Sequence, residues 1–519
     1  MLLYLETPSA QQYNLTDRSG IRRLLPTAKI GTTSYMQPAN FLVIMSDEHN
    51  PKVLGAAGHP FIKTLNLNAL AARGTRFTSA YTACPICVPA RAAFALGRYV
   101  HDVGYWDNSD AYEGALPSWH HRLRASGHRT VSIGKLHFRG GPGDDHGFSE
   151  EIAPMHIIEG IGDIKGLVRD DIPKRKGGEK MAKLAGPGES SYTVYDREIA
   201  AQAQIWLHEE APKWRDRPWV LFVSFVAPHF PLTAPPEWFY LYWQQDLPMP
   251  KLFEPAERPQ HPYLVDYAHT VDYGTHFKTP EDVKRAIAGY CGLVSALDEN
   301  IGKVLRALRD AGLESTTRVM YTSDHGDNLG ARGLWGKSTL YEESAGVPLI
   351  MAGPDIAEGQ VVDTPVSHID CAPTIIEAVG EPRPGPDVMP GASLFAVAAG
   401  EKPARPVISE YHAIGSVAGA FMLRFEKWKY CHYVKYSPQL FDLESDPEEL
   451  SDLAADPRCK NVVAEGERRL RAVLNPEDVN ARAKRRQNEV LEAFGGREAA
   501  LARGDLGFTP APGTKAAID

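Results

Sequence analysis

The chain has 519 residues, 43% of them hydrophobic, and a formal net charge of −9 at pH 7. A chain of this length and composition buries a sizeable core and forms one large domain with an appendage, or two domains. It contains no long basic run, so we expect neither a nucleic-acid nor an anionic-membrane partner. No apolar run reaches the roughly 18 residues of a membrane-spanning helix.

Residues 1–35 contain no apolar stretch long enough for a secretory signal, so they predict a poorly ordered N-terminal extension on a cytoplasmic protein. Met36 is an alternative start, because the first strand-like run begins only at Phe41. The six cysteines are sparse and irregularly spaced, which also favours a reducing compartment.

Apolar β-rich runs alternate with helical patterns between residues 36 and 400, which predicts an α/β catalytic domain with a mostly parallel central sheet flanked by helices. The predicted core strands are NFLVIMS (40–46), TVSI (130–133), PWVLFVSFV (218–226), TRVMYTS (317–323) and VPLIMAG (347–353). Thr193 with Asp196 predicts a capping box at the start of one helix, and Thr279 with Pro280 begins a longer helix.

After about residue 400 the pattern changes to short strands followed by a charged helical tail. This predicts a smaller α+β C-terminal domain over residues 401–519. The tail from Asn475 onward mixes charged and apolar residues, and we expect it to mediate contacts in a homo-oligomer. The Lys- and Gly-rich stretch 171–191 predicts a mobile insertion.

Polar residues follow four of the predicted strands, at the ends where open α/β sheets bind ligands. In chain order they are Asp47, Glu48 and His49, then Lys135 and His137, then His229, and then Asp324 and His325. Lys337 lies between the fourth and fifth strands. Each residue alone is more often a turn, cap or solvated loop residue. Their coincidence at successive strand ends indicates a single site.

Asp47, Asp324 and His325 suit one divalent cation. Oxygen ligands favour Ca²⁺, Mg²⁺ or Mn²⁺, and a single imidazole shifts the preference towards Mn²⁺. Arg91 and the lysines around such an ion describe a pocket for a tetrahedral oxyanion, where positive charge also stabilises the transition state.

The nucleophile is suggested by ACPICVPARAAFALGR (83–98), where Cys87-Val88-Pro89-Ala90-Arg91 resembles the C-x-P-S/A-R signature of the formylglycine sulfatases, within the alkaline phosphatase superfamily. GHRTVSIGKLHF resembles the family's second signature, and FDLESDPEELSDLA resembles its C-terminal motif. The likeness covers roughly residues 40–455. YWDNSD and SDHGDNLGARGLW are most similar to the choline sulfatase and arylsulfatase branches.

The resemblance implies that a separate formylglycine-generating enzyme oxidises Cys87 to formylglycine, whose hydrate attacks sulfur. It implies that Asp47, Asp324 and His325 bind the metal together with residue 87, while Arg91 holds the hydrate. The remaining roles it implies are contact with the transferred group by Lys135, His229 and Lys337, and a general base at His137.

Several residues near this site differ from the family pattern or are further candidates for substrate contact. Glu48 replaces the second Asp of arylsulfatases, or the Gln of related branches, and is therefore left out of the metal ligands. Trp106 offers an aromatic face to a substrate cation or ring, or packs within its loop. Asn108 is a candidate hydrogen-bond donor to the substrate. The tail FGGREAALARGDLGFTPAPG differs from the aromatic-rich end of choline sulfatases, which weakens the case for choline.

The leading expectation is hydrolysis of a small alkyl or aryl sulfate ester. The alternative is a phosphonate monoester hydrolase or phosphodiesterase, because those substrates also carry one negative charge. A metal-binding scaffold without turnover is a third reading, favoured if Cys87 is never converted. His368 and Asp370 raise a two-metal alternative, although SHIDCAPT more simply begins a helix capped by Asp370.

Overall fold

A computed structural model describes residues 36–403 and 405–515. The predicted N-terminal extension, residues 1–35, lies outside the described residues. The strands are β1 (Asn40–Asp47), β2 (Gly74–Phe77), β3 (Ala80–Tyr81), β4 (Thr130–Lys135), β5 (Glu150–Met155), β6 (Gly186–Pro187), β7 (Val220–Pro228), β8 (Thr233–Ala234), β9 (Thr317–Ser323), β10 (Leu349–Ala352), β11 (Gln360–Val362), β12 (Val366–Ser367), β13 (Val407–Tyr411), β14 (Ala420–Phe425), β15 (Trp428–Tyr433) and β16 (Gln439–Asp442).

The α-helices lie on both sides of the main sheet and in the C-terminal region. They are α1 (Leu65–Ala72), α2 (Cys87–Leu96), α3 (Val100–Val103), α4 (Trp119–Ala125), α5 (Gly177–Leu184), α6 (Ser191–Ile205), α7 (Pro236–Trp243), α8 (Pro262–Val271), α9 (Pro280–Asp310), α10 (Glu342–Ala345), α11 (Cys371–Ala378), α12 (Leu394–Ala398), α13 (Lys460–Val473), α14 (Pro476–Phe494) and α15 (Gly496–Arg503).

The main sheet has eight strands in the order β11-β2-β10-β9-β1-β7-β4-β5. Strand β10 is antiparallel to both of its neighbours, and the other adjacent pairs are parallel. Central strands β4, β7 and β9 are buried along their whole length, as expected for parallel strands covered on both faces. The predicted mostly parallel α/β fold is confirmed, and the run 347–353 forms the reversed strand β10.

Helix starts show where local sequence signals succeeded and failed. Thr279 caps α9 in a capping box with Asp282, as expected. The predicted box of Thr193 with Asp196 is wrong, because Ser190 caps α6 and pairs with Thr193. The Asp196 carboxylate instead accepts hydrogen bonds from the backbone N–H groups of residues 226 and 227, at 2.7 and 2.8 Å, and so fixes the end of β7.

Asp370 occupies the N-cap position of α11 as predicted, but its side chain makes no capping hydrogen bond to that helix. It belongs instead to the preceding 3-10 turn, His368–Asp370, where Ser367 is the N-cap and the Asp370 carboxylate accepts from Ser367 N at 2.7 Å. Its other oxygen accepts from Ala392 N at 2.6 Å. Both oxygens are therefore engaged in backbone contacts, which argues against a role for Asp370 in holding a second cation.

The C-terminal part forms a small antiparallel sheet in the order β13-β14-β15-β16, followed by α13, α14 and α15. This confirms a smaller C-terminal α+β region, while its boundary at residue 401 stays a prediction. The tail helices bond back to the rest of the chain, for example through Gln487 Nε2 and Asp107 Oδ2 at 3.0 Å. Among the described helices, none is both long and apolar enough to cross a membrane.

Candidate active site

The predicted site residues meet at one edge of the main sheet. Strands β9, β1, β7 and β4 are neighbours and run parallel, so their carboxyl ends lie side by side. Asp47 and Lys135 are the last residues of β1 and β4, while Asp324 and His229 directly follow β9 and β7. The topology therefore collects charged side chains from widely separated parts of the sequence.

Helix α2 presents Cys87 and Arg91 to the same place. Cys87 is its first residue, and Arg91 lies four positions later, one turn along the same face. Pro89 fits the first turn because its missing N–H would have no helical partner there. Asn108, predicted to face the substrate, accepts through Oδ1 from Val88 N at 3.2 Å and thereby ties down this turn. The spacing of the C-x-P-A-R motif is thus explained by one helical turn.

Arg91 binds one carboxylate oxygen of Asp47 and one of Asp324, and the second oxygen of each lies near Cys87 or His325. Its Nε lies 2.8 Å from Asp324 Oδ2 and its Nη2 lies 3.2 Å from Asp47 Oδ2. Asp47 Oδ1 instead lies 3.7 Å from Cys87 Sγ, and Asp324 Oδ1 lies 3.6 Å from His325 Nε2. One donor atom from each of Asp47, Cys87, Asp324 and His325 lies within 4.8 Å of the others, and all four residues are buried.

The imidazole of His325 is oriented for metal binding. Its Nδ1 lies 3.0 Å from Gly326 O, so Nδ1–H donates to that carbonyl and the lone pair is on Nε2. Nε2 points to Cys87 Sγ, 3.2 Å away. Two carboxylates, one imidazole and an oxygen on residue 87 after its modification are a donor set that fits a single divalent cation.

Two lysines approach the centre from different sides. Lys337 Nζ lies 3.1 Å from Cys87 Sγ and 3.2 Å from Glu48 Oε2, and this side chain lines a cavity. Lys135 is fully buried, with Nζ 2.5 Å from Asp47 Oδ2, and it is not part of the cavity wall. Burial opposes the charge on Asp47, but the cations, led by Lys135, hold the pKa of Asp47 well below its usual range. Lys135 thus supports Asp47 in this structure, and its contact with the transferred group stays a prediction.

His137 and His229 are neutral in this environment. Burial lowers the pKa of both imidazoles well below the usual value, and nearby lysine charges lower it further. His137 has a left-handed backbone (φ 54°) directly after β4 and lines the cavity. Neither of its ring nitrogens has a hydrogen-bond partner among the described residues. Both ring nitrogens are therefore available for hydrogen bonds with a group in the cavity.

Glu48 is a site residue that sequence reasoning left out. It is fully buried with a left-handed backbone (φ 72°), and it lines the cavity. Its Oε2 lies 3.2 Å from Lys337 Nζ and 3.4 Å from His229 Nε2. Burial raises the pKa of Glu48 to about 8 although Lys337 opposes the shift. Its position directly after Asp47 was the available signal, but the departure from the family pattern argued against it.

The cavity above Cys87 has a volume of about 130 Å³. Aromatic side chains form much of its wall, namely Phe230, Tyr267, Tyr273 and Phe508. Phe508 belongs to the tail and packs its ring against Tyr192, with centroids 5.2 Å apart. The tail was predicted only to contact another subunit, and no local motif marked it as part of the site.

Arg175 forms a polar patch in the same wall, although its stretch was predicted to be a mobile insertion. Its Nη2 lies 2.8 Å from Asp163 Oδ2, and its Nε lies 2.8 Å from Asp505 Oδ1. Its Nη1 is buried and has no hydrogen-bond partner within the described ranges. A substrate group that accepts a hydrogen bond would satisfy it.

Trp106, predicted as either a substrate contact or a packing residue, lies away from the cavity. It is 3% exposed, its ring is 5.1 Å from that of His412, and the guanidinium of Arg482 lies 5.6 Å from its centroid. The packing interpretation describes its place, so we do not include it among the substrate contacts.

Comparison with known proteins agrees with this geometry. A family described as Sulfatase matches residues 39–381, and one described as N-sulphoglucosamine sulphohydrolase, C-terminal, matches residues 330–475. The choline-sulfatase of Rhizobium meliloti (strain 1021) is 36% identical over 436 residues, covering 81% of this chain and 83% of that protein. Arylsulfatase K of Bos taurus is 30% identical over 469 residues, with 85% and 83% covered.

Among solved structures, the phosphonate monoester hydrolase of Agrobacterium radiobacter shares the fold, with a TM-score of 0.66 and 21% sequence identity. The match covers 86% of this chain and 96% of that one. The family match spans well over half of the chain, and the relatives match over most of their length. The chain therefore belongs to the sulfatase family of hydrolases, within the alkaline phosphatase superfamily.

Proposed function

We propose that the protein hydrolyses sulfate esters of small alkyl or aryl alcohols, using formylglycine formed from Cys87 and one divalent metal ion. The observation that carries this proposal is the convergence of four donor atoms, from Asp47, Cys87, Asp324 and His325, beside the Lys337 ammonium at the cavity floor. Membership of the sulfatase family supports sulfate ester hydrolysis.

The metal would be held by Asp47 Oδ1, Asp324 Oδ1 and His325 Nε2, together with residue 87. When bound, the ion supplies positive charge that polarises an oxygen of the sulfate group. Arg91 keeps both carboxylates turned towards that position by binding their other oxygens. The positive charge of Arg91, which lies on the side of the carboxylates away from the cavity, thus orients the oxygens that would bind the metal.

The surroundings of Cys87 argue against the unmodified thiol as the nucleophile. Burial and the charge of Asp47 raise the pKa of the Cys87 thiol to about 12, so the unmodified side chain is a neutral thiol and a weak nucleophile at neutral pH. The hydrate of formylglycine supplies two hydroxyl groups on one carbon, one for attack on sulfur and one for later release of sulfate. This requires a formylglycine-generating enzyme as a maturation partner.

The remaining cavity residues divide the work of binding and proton transfer. Lys337 Nζ, 3.1 Å from Cys87 Sγ, is placed to bind a sulfate oxygen next to the nucleophile. His229 contributes a neutral imidazole beside Glu48. His137 takes the proton of the second hydroxyl through the ring nitrogen that carries the lone pair, since neither nitrogen is bound by the described residues. Burial and cationic neighbours lower the pKa of His137, and the negative charge of a bound sulfate opposes the effect of those neighbours.

The cavity indicates the kind of alcohol released. A volume of about 130 Å³ is smaller than the roughly 300–1,000 Å³ typical of clefts for drug-sized ligands. Phe230 and Phe508 offer apolar contact, and Arg175 Nη1 offers one donor. A small alkyl or aryl leaving group with a hydrogen-bond acceptor fits these walls.

The test is kcat/KM for an aryl sulfate against the matching aryl phosphonate monoester, with enzyme co-expressed with a formylglycine-generating enzyme and loaded with metal. Mass spectrometry of the peptide containing residue 87 measures the extent of conversion. We expect a strong preference for the sulfate. A preference for the phosphonate would make the alternative the main activity, and inactivity towards both by fully converted enzyme would contradict the proposal.

A further inference from the structure

A second group of metal-ligating side chains lies at the edge of the main sheet, outside the cavity. Glu151 belongs to the edge strand β5, His156 directly follows it, and His146 lies in the loop before it. One donor atom from each of the three lies within 4.8 Å of the others. None of them is among the residues that line the active-site cavity.

The two imidazoles face the same carboxylate. His146 Nδ1 lies 2.9 Å from Glu151 Oε1, and His156 Nε2 lies 3.4 Å from Glu151 Oε2. A tetrahedral zinc ion with bonds of about 2.0–2.2 Å spaces its ligand atoms about 3.3–3.5 Å apart. The two histidine–carboxylate separations, 2.9 and 3.4 Å, are close to that spacing, and the two histidine nitrogens lie within 4.8 Å of each other.

A bulge in β5 makes the cluster geometrically possible. Ile152 pairs with Ile133 and Met155 pairs with Lys135, so β5 advances three residues while β4 advances two. Ala153 has a left-handed backbone (φ 47°), and its carbonyl accepts from the Tyr195 hydroxyl at 2.5 Å. In a regular strand, residues five apart point to opposite faces. The inserted residue reverses this relation for Glu151 and His156.

The rings are held in place, and the site is open to ions from solvent. A Cβ at Gly140, whose φ is 65°, would approach the His156 ring to 2.4 Å, so close backbone contact fixes that ring. The far nitrogens, His146 Nε2 and His156 Nδ1, are buried and have no hydrogen-bond partner in the described part of the chain. The side chains of Glu151 and His156 are 23% and 22% exposed.

We propose that His146 Nδ1, the Glu151 carboxylate and His156 Nε2 bind one zinc ion, with water as the fourth ligand. Two imidazoles and one carboxylate favour zinc over the hard cations Ca²⁺ and Mg²⁺. Met155, which precedes His156, accepts a backbone hydrogen bond from His137 N at 2.8 Å. Zinc at this position stabilises the strand end that supports His137 in the active site.

Zinc titration of the metal-replete enzyme, in buffer with saturating Ca²⁺ or Mg²⁺, tests the proposal by calorimetry and elemental analysis. We expect His156→Gln and Glu151→Gln each to lose one zinc equivalent per chain relative to the wild type. Asp324→Asn retains this equivalent, because it alters the other cluster. His208→Gln, at an exposed histidine, controls for non-specific surface binding and loses none.

Equal zinc content in the wild type, His156→Gln and Glu151→Gln would overturn the proposal. Hydrogen exchange of the wild-type enzyme gives a readout that does not depend on the folding of a variant. Added zinc is expected to slow exchange in residues 146–156, and unchanged exchange in that segment at saturating zinc would also contradict the site.

Discussion

Two buried clusters of charge in this protein use the same residue types for different purposes. The first, here called the catalytic cluster, consists of Asp47, Glu48, Arg91, Lys135, Asp324 and Lys337. The second, here called the docking cluster, consists of Arg332, Glu342, Glu343, Lys429 and Glu449. It joins the loop around α10 to strand β15 of the C-terminal sheet.

The docking cluster is held together by ion pairs, although Glu449 Oε1 and Arg332 Nε have no hydrogen-bond partner among the described residues. Lys429 Nζ lies 3.0 Å from Glu342 Oε1 and 2.7 Å from Glu449 Oε1. Glu449 Oε2 accepts from Glu342 N at 2.8 Å, and Arg332 Nη1 lies 3.2 Å from Glu343 Oε2. Glu449 belongs to the FDLESDPEELSDLA motif, so this motif has a structural explanation as a docking element.

The catalytic cluster differs in that it faces the cavity above Cys87, which Glu48 and Lys337 line. Glu48 Oε1 and, beside the cluster, both ring nitrogens of His137 have no hydrogen-bond partner among the residues described, and both residues line this cavity. Asp47 Oδ1 and Asp324 Oδ1, the oxygens that Arg91 does not bind, lie near Cys87 Sγ and His325 Nε2, and Asp324 Oδ1 also accepts from the backbone N–H groups of Glu48 and His325. Buried polar atoms without hydrogen-bond partners destabilise a folded protein, and here they mark the place where a ligand would supply those partners. Contact with the cavity above Cys87 therefore separates the catalytic cluster from the docking cluster, although both contain ion pairs and unpartnered atoms.

The largest effect is expected from removing the nucleophile. Cys87→Ala should reduce kcat with an aryl sulfate by about 10⁴-fold or more, because the group that forms the covalent bond is lost. Thermal unfolding should change little, since the side chain is small. Cys84→Ala, at a neighbouring buried cysteine, is the matched control and should keep its activity. Turnover by purified Cys87→Ala near that of the wild type would refute the assignment.

Replacing one lysine in each cluster tests the difference between the two clusters. Lys429→Met leaves the carboxylates of Glu342 and Glu449 without their buried cation, so the free energy of unfolding should fall by about 3–5 kcal/mol. Lys337→Met should lower kcat/KM by about 10²–10³. Its loss of stability should be smaller, because Lys337 faces the cavity. Denaturant unfolding and steady-state kinetics of both variants measure this, and equal losses of stability would remove the distinction.

Of the two charge clusters compared here, only the catalytic cluster should affect metal content. Asp324→Asn removes a charged ligand, so we expect affinity for the catalytic metal to fall by at least about tenfold. Elemental analysis after dialysis against a range of metal concentrations measures the change. Glu343→Gln, in the docking cluster, should keep the wild-type metal content. Unchanged metal content in Asp324→Asn would count against the proposed ligand set.

The smallest effect is expected in the cavity wall. Phe508→Ala removes apolar contact from the leaving group, so KM for an aryl sulfate should rise by about tenfold, with a smaller change in kcat. For methyl sulfate, which does not reach this ring, KM should stay near the wild-type value. Equal changes for both substrates would place Phe508 outside the substrate site.

The sequence predicted the parts of the site that follow from strand order. Asp47, Lys135, His229 and Asp324 stand at the ends of parallel runs, and such ends meet at one edge of a sheet. The Cys87 motif was predicted from resemblance, and its spacing corresponds to one helical turn. These features are local, or depend on a simple rule of topology, so sequence patterns are sufficient for them.

The remaining features depend on contacts between distant segments. Arg175 and Asp505 meet in the cavity wall, yet neither lies in a recognisable motif. The bulge at Ala153 arises from strand pairing, and because no glycine occupies this position the sequence does not predict it. Glu48 was excluded because it departs from the family pattern, and only the distances to Lys337 and His229 place it in the site.

The most direct test of the central claim relates turnover to the chemical state of residue 87. Enzyme batches with graded maturation are compared for aryl sulfate turnover and for formylglycine content of the peptide containing Cys87, all at saturating metal. The account predicts that kcat is proportional to the converted fraction and extrapolates to zero without conversion. Turnover that is independent of the converted fraction would contradict it.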